Sequence, residues 1–387
     1  MDLRSADPLV LANARVVMAD RVFPGYVVIE DGRIAAVGEG AAPGAGVDCE
    51  GDYLTPGLIE LHTDHLEAHY MPRPRVMWHA GSAVLAYDAQ IAAAGITTVF
   101  DSFRVGAESA DDDRGGLGEK TVILADAIER ASAADLLRAD HLTHLRCEVP
   151  SPNVVACLEE FLAVHPARLV SLMDHTPGQR QFRDLDKYFI YYGGKTGRSE
   201  AELRAVVDER RRVGRERAQE NRPRVAAIAK AHGVRIASHD DTTLEDVAQS
   251  HREGVSIAEF PTTFEAASAS HALGMATVMG APNVVRGGSH SGNASARAFA
   301  EAGLLDILSS DYVPAALLMG AFRLADAPSV GGLAGAIRLV TKNPATAAGL
   351  LDRGEIAVDR RADLVRVRLH DDEPVVRAVW RAGRRVA

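Results

Sequence analysis

At 387 residues the chain exceeds one small domain and suits a barrel of roughly 250 residues with a smaller unit attached. A net charge of −10 argues against a general nucleic-acid binder and against docking on an anionic membrane, yet leaves room for a local basic pocket and an anionic substrate. Three scattered cysteines (Cys49, Cys147, Cys157) offer no disulfide framework, and no apolar run approaches about 18 residues, so the expectation is a soluble, cytoplasmic protein.

Residues 9–55 read as β structure. LVLANARVVM alternates, Val27 to Glu30 is strand-like, and Asp31-Gly32 predicts a hairpin turn into Arg33–Gly38. The far end has the same character, with alternating segments at 362–369 and 375–383 around an acidic turn at Asp371–Glu373. Two β-rich ends flanking a long middle predict a small β-sandwich domain built from 1–55 and 353–387, with 56–352 as the main domain. That middle alternates strands and helices. Strands are expected at 58–62, 97–101, 143–149, 168–174, 234–239, 256–260, 276–280 and 306–310, with helices such as 82–94, 121–134 and 154–164 between them. Eight such units predict a (β/α)8 TIM-like barrel. The long excursion at 182–232 contains a charge-dense helix capped by Ser199 and broken at Pro223.

Residues able to bind metals recur at the ends of these strands. The Leu54–Asp64 stretch breaks at Pro56-Gly57, runs through apolar Leu58, Ile59 and Leu61, and ends in His62-Thr63-Asp64. On an extended chain His62 and Asp64 would share one face. Glu148, His175, His239 and Asp311 end later strands. A polar turn explains any one of these, but their recurrence at one rim of a barrel points to a metal site. Mixed imidazole and carboxylate donors suit two divalent ions, Zn, Mn or Fe, that activate water and polarise the electrophile. Asp311 is the candidate general base. A nucleophile elbow of the G-x-S-x-G type is missing.

LTPGLIELHTDHLEAH, HLRCEVP, SLMDHTPGQRQF, AEFPTTFEAA, MGAPNVVRGGSHSGN and LLDILSSDY together resemble the amidohydrolase superfamily, and within it the diphosphatase family of the bacterial carbon–phosphorus lyase pathway. The resemblance runs from about Leu54 to Asp363. It implies hydrolysis of alpha-D-ribose 1-methylphosphonate 5-triphosphate to the 5-phosphate and diphosphate in phosphonate catabolism, with a phosphorylated sugar phosphonate as the small-molecule partner. A homo-oligomer fits the habit of such barrels. The superfamily's first strand more often ends in HxH, where this chain has Asp64, and His65 stands where Asn is expected. With no early strand-end lysine, Glu148 would take the bridging place that a carboxylated lysine fills in many relatives.

The sequence also offers a grip for a triphosphate. Arg286, Gly287, Gly288, Ser289 and His290 follow the seventh strand ahead of a helix expected to open near Asn293, a setting in which backbone N–H groups and a helix dipole meet phosphate. His290 would protonate or hold the leaving group. Arg180 and Lys187 after the fourth strand, and Arg73 and Arg75 after the first, add cations, arginine being suited to bidentate phosphate contacts. Two rival readings remain: hydrolysis of a cyclic amide or N-acyl substrate, which needs no such cations, and a non-catalytic barrel scaffold.

Overall fold

Alternating apolar strands and helices resolve into two sheets, in a computed structural model that describes residues 8–73, 76–106, 117–176, 200–288 and 294–387. The first sheet takes β1 (Leu9–Val17), β2 (Val22–Glu30), β3 (Arg33–Glu39), β4 (Val47–Asp48) and β5 (Tyr53–Pro56) from the start of the chain. The barrel follows as β6 (Leu58–Thr63), β7 (Ile96–Val105), β8 (Asp140–Glu148), β9 (Leu169–Met173), β10 (Arg235–His239), β11 (Ile257–Glu259), β12 (Ala276–Gly280) and β13 (Ile307–Ser309). The end of the chain returns β14 (Leu364–His370), β15 (Glu373–Arg381) and β16 (Arg384–Arg385) to the first sheet.

That sheet runs β16-β15-β14-β5-β1-β2-β3, with β4 beside β1. Its two ends meet where β14 pairs antiparallel with β5, Leu364 opposite Pro56. The β2–β3 hairpin turns through Asp31 and Gly32, both at positive φ (47° and 76°), the backbone of a turn that matches strand twist. Leu11, Val16, Ile29, Leu54, Leu364 and Trp380 form a core of its own. Val365, Val367 and Val379 face the barrel's outer core instead. A charged clamp reinforces the contact: Asp140, at the start of β8, is approached by Arg353 (2.6 Å), Arg361 and Arg381 (3.1 Å).

The barrel strands pair in chain order from β6 to β13, all parallel. Closure comes from a parallel bridge between Thr63 and Asp311. Fully buried Glu60 staples the seam, accepting hydrogen bonds from Ser309 Oγ (2.9 Å) and from the His62 N–H (2.6 Å). Strand β8 shows how the sequence builds the interior. Leu142, His144, Arg146 and Glu148 alternate on one face, apolar at the bottom and charged at the mouth, while Leu145 and Cys147 pack outward against the helices. Phe100, Leu169, Ala237, Ile257, Val278 and Ile307 fill the barrel below the polar layer. Each of these side chains larger than alanine, fully buried, is worth roughly 1.5–3 kcal/mol.

The charge-dense helix corrects one expectation: Glu200–Ala231 continues through Pro223 rather than breaking there. A proline forfeits one backbone hydrogen bond, but the turns that follow bury Val225, Ala226 and Ala229 against the barrel, and that packing holds the helix together. Ser199, its expected cap, lies outside the described residues. Among the described residues no helix is long and apolar enough to cross a membrane.

Candidate metal centre and active site

The C-terminal ends of the strands carry the polar groups into one mouth. His62 and His239, from opposite sides of the barrel, stack with ring centroids 5.3 Å apart at 26°. His175 lies edge-on to His239 at 5.6 Å, and its Nδ1 is 2.6 Å from Glu148 Oε1. A continuous run of contacts therefore joins Glu148, His175, His239 and His62. Asp311 follows β13 and is close enough to His62, Asp64 and Asp240 to feel their charges. Asp240, Phe260 and Asp311 each hold a left-handed backbone (φ 56°, 54° and 55°) just past the ends of β10, β11 and β13. Such conformations in residues with side chains are uncommon and gather at functional sites.

Local charges set the protonation of the ring. Burial works against ionised Glu148, yet His175 and Arg104 beside it hold its carboxyl far below the usual range. Burial likewise disfavours charged His62 and His175, but Glu259 and Glu148 respectively outweigh it and raise both. His239 is lowered by burial. Among the described residues Asp311 has no counter-cation in contact; burial pushes it up to about 6, with Asp64 and Asp240 adding to the rise against the pull of His62 and Arg146. At that value it can accept a proton near neutral pH.

Asp64 departs from the sequence expectation of a shared strand face. The strand ends at Thr63, and Asp64 sits at the start of helix His65–Tyr70 with φ −101° and ψ 14°. Its carboxylate meets Arg146 at 3.0 Å, and that guanidinium, with His62, lowers it in spite of burial. His65 and its neighbour His69 both turn to Gln90 Oε1, at 3.1 and 2.8 Å.

The donor set fits a divalent ion. Ligand atoms of His175, His239 and Asp240 lie within 4.8 Å of one another. Glu148 Oε2 and Asp240 Oδ2 are buried without a hydrogen-bond partner among the described residues, a costly state that a cation would relieve. A second group, His62, His144 and Glu259, is equally compact but differs in kind. His144 already has partners at both ring nitrogens, Nε2 against Ser171 Oγ and Nδ1 at 3.0 Å from Ser102 Oγ. Burial lowers its pKa to about 3, so it is a neutral, hydrogen-bonded layer beneath the mouth.

Several groups at the mouth were absent from the sequence reading. Arg104 and Arg146 are register partners on β7 and β8, and Arg104 stands 3.2 Å from Glu148. Glu259 ends β11 beneath His62 and His239. Arg146 falls two residues before Glu148 on the same strand face, a spacing that was legible; Glu259, the one charge in SIAEF, was the other available signal.

The expected phosphate loop is placed only in part. Helix Ala281–Arg286 starts directly after β12, and Gly287 closes it in the left-handed conformation (φ 80°). The next helix opens at Ala296 behind Ser295, not near Asn293, because the Ser295 side chain accepts from the Ala298 N–H. Gly287 and Gly288 thus follow a helix C-terminus, where the dipole does not favour an anion. Arg286 and Arg73 are exposed. Arg75, Arg180, Lys187, Ser289 and His290 lie outside the described residues.

Comparison with known proteins places this geometry. Residues 89–387 match the sequence profile of the amidohydrolase family. Over 381 residues the chain is 46% identical to alpha-D-ribose 1-methylphosphonate 5-triphosphate diphosphatase of Escherichia coli, covering 98% of this chain and 100% of that protein. Among solved structures, N-isopropylammelide isopropylaminohydrolase from Burkholderia multivorans matches with a TM-score of 0.65 at 18% identity, over 98% of both chains. The 5-methylcytosine deaminase from Klebsiella pneumoniae matches with 0.66 at 13% identity, again over 98% of both. At those identities the two structures speak to fold alone. Matched over most of its length by the family profile and over nearly all of it by the diphosphatase, the chain belongs to the amidohydrolase family of metal-associated hydrolases.

Proposed function

We propose that the protein hydrolyses alpha-D-ribose 1-methylphosphonate 5-triphosphate to the 5-phosphate and diphosphate, as the name of its 46% identical relative states for that protein. The observation that carries the reading is the mouth itself: three imidazoles and a set of buried carboxylates interleaved with two arginines. A cyclic-amide hydrolase needs the first two, but the arginines answer a polyanionic substrate.

His62, Asp64, Glu148, His175, His239 and Asp311 are proposed to hold two divalent ions, Zn, Mn or Fe, and Asp240 joins them on the compactness of its group with His175 and His239. Bound there, the ions supply Lewis acidity and an activated water. Asp311 accepts the proton of the attacking water; its Oδ2 faces the space left by Gly280, where an added Cβ would stand 3.8 Å away. Arg146 and Arg104 donate to phosphate oxygens from the wall of the mouth. Arg286, Gly287, Gly288, Ser289, Arg180, Arg73, Arg75 and Lys187 are proposed to hold the outer phosphates, with His290 at the leaving group. Attack is in line at the α-phosphorus, and the fixed donors stabilise charge on the departing diphosphate.

The same reading includes a division of the chain into 1–55 with 353–387 and 56–352, supported by the separate cores of the two sheets. It also includes a cytoplasmic location, a homo-oligomeric state, and no nucleic-acid or membrane partner. The test is phosphorus NMR of the products in oxygen-18 water. Label in the sugar 5-phosphate is expected; label in the diphosphate puts the attack at the β-phosphorus, and no turnover with metal-loaded protein rejects the substrate.

A further inference from the structure

We infer that Glu259 is a positioning residue that fixes, with one carboxylate, which ring nitrogen both His62 and His239 present to the mouth. The inference rests on the metal-centre reading above and deepens it.

Glu259 is the last residue of β11 and the register partner of His239 on β10. It is 1% exposed. Oε2 lies 3.1 Å from His239 Nδ1 and accepts a hydrogen bond from Ser171 Oγ at 2.7 Å. Oε1 lies 3.0 Å from His62 Nδ1, off the line of a good hydrogen bond. The two rings, stacked above the carboxylate, come from opposite sides of the barrel.

An ionised carboxylate only accepts, so each Nδ1 facing it carries the proton. In a neutral imidazole that leaves the lone pair on Nε2, the nitrogen able to bind a cation. His239 Nε2 is the one turned toward Asp240, 3.4 Å from its Oδ2. With Oε2 taken by His239 and Ser171 and Oε1 turned to His62, Glu259 lies beneath the two rings rather than among the groups that face the mouth. A glutamine of the same shape would fill the space, but its NH2 arm donates. It would push one of the two histidines toward the tautomer whose Nε2 carries hydrogen and cannot coordinate.

The experiment uses the full-length protein loaded with zinc. Zinc affinity is measured by chelator competition in the wild type and in Glu259→Gln, and the tautomers of His62 and His239 are read by long-range proton–nitrogen NMR. The expected result is protonated Nδ1 on both rings of the wild type, and zinc held about 10–100-fold more weakly by Glu259→Gln. Equal affinity in a folded Glu259→Gln protein overturns the positioning role and leaves the metal reading standing. Failure of the wild type to bind zinc removes the metal reading and this inference with it. If the variant does not fold, the wild-type spectrum decides alone: a ring coordinating through Nδ1, or carrying its proton on Nε2, overturns the inference.

Discussion

His141 offers a stability prediction that can be worked from the structure. Its ring is fully buried between two carboxylates, Nδ1 at 2.9 Å from Asp101 Oδ2 and Nε2 at 3.3 Å from Asp88 Oδ1. Tyr87 packs against the ring, and Arg138 stands 3.1 Å from Asp88. Burial opposes the charged ring, but Asp101 and Asp88 overcome it and raise the pKa from 6.5 to about 9. A folded value above the unfolded one means that the protonated ring stabilises the native state. The contribution is complete below pH 6.5 and is lost as pH climbs through 9. At about 1.4 kcal/mol per tenfold in proton affinity, the pH-dependent part is about 3 kcal/mol. The perturbation is His141→Gln, which also leaves two carboxylates without their shared cation. Urea denaturation of wild type and variant, followed by circular dichroism at pH 6.5, 8 and 9.5, should show a stability gap that narrows by about 3 kcal/mol across the range. A gap that stays constant with pH would mean that His141 is neutral in the native protein, and the reasoning fails.

Three further outcomes are expected. Asp311→Asn should keep its fold and bound metal while losing about 10²–10⁴-fold in kcat, the usual worth of a general base; near-normal turnover removes Asp311 from that role. Arg146→Met should raise KM for the triphosphate by about tenfold or more, the loss of one charge-assisted hydrogen bond, and an unchanged KM takes Arg146 out of the substrate grip. Gly335→Ala, on helix propensity alone, should stabilise helix Gly332–Arg338 by up to about 1 kcal/mol. But the new Cβ would stand 1.6 Å from the Val330 carbonyl oxygen. The backbone must move, so the net effect should be a destabilisation of about 2 kcal/mol, and a raised Tm would show that the close approach is not real.

The barrel was legible because its strands are short apolar runs bounded by Gly, Pro or polar turns. The strand expected at 276–280 is β12 with the same bounds, and that at 234–239 differs by one residue. Strand-end His and Asp residues could be read for the same reason, since a barrel brings all such ends to one rim. What could not be read depends on partners remote in sequence. Asp64 reads as sharing a strand face with His62 until Arg146, 82 positions away, is seen to meet its carboxylate at a helix start. Pro223 looks like a stop until the buried Val225, Ala226 and Ala229 show why the helix continues. Glu259 reads as a strand residue because nothing local says that two histidines, 20 and 197 positions before it, will share its oxygens.

Charge balance at the mouth links the fold to the chemistry. Asp64, Glu148, Asp240, Glu259 and Asp311 bring five carboxylates together, against the guanidiniums of Arg104 and Arg146. Both arginines are already engaged by carboxylates, so among the described residues the unaided mouth has an anionic excess, which opposes a triphosphate. Burial makes ionised carboxylates costly there, as Asp311 records: burial first, then Asp64 and Asp240, push its carboxyl up against the pull of His62 and Arg146. Divalent cations held as proposed above would resolve both difficulties at once: they would offset the carboxylates and leave the two arginines to act on phosphate oxygens. On this argument the arginines and the metals are not separate devices, one for binding and one for chemistry. Removing either should turn the site from attracting a polyanion to excluding it, in a chain whose net charge is already −10.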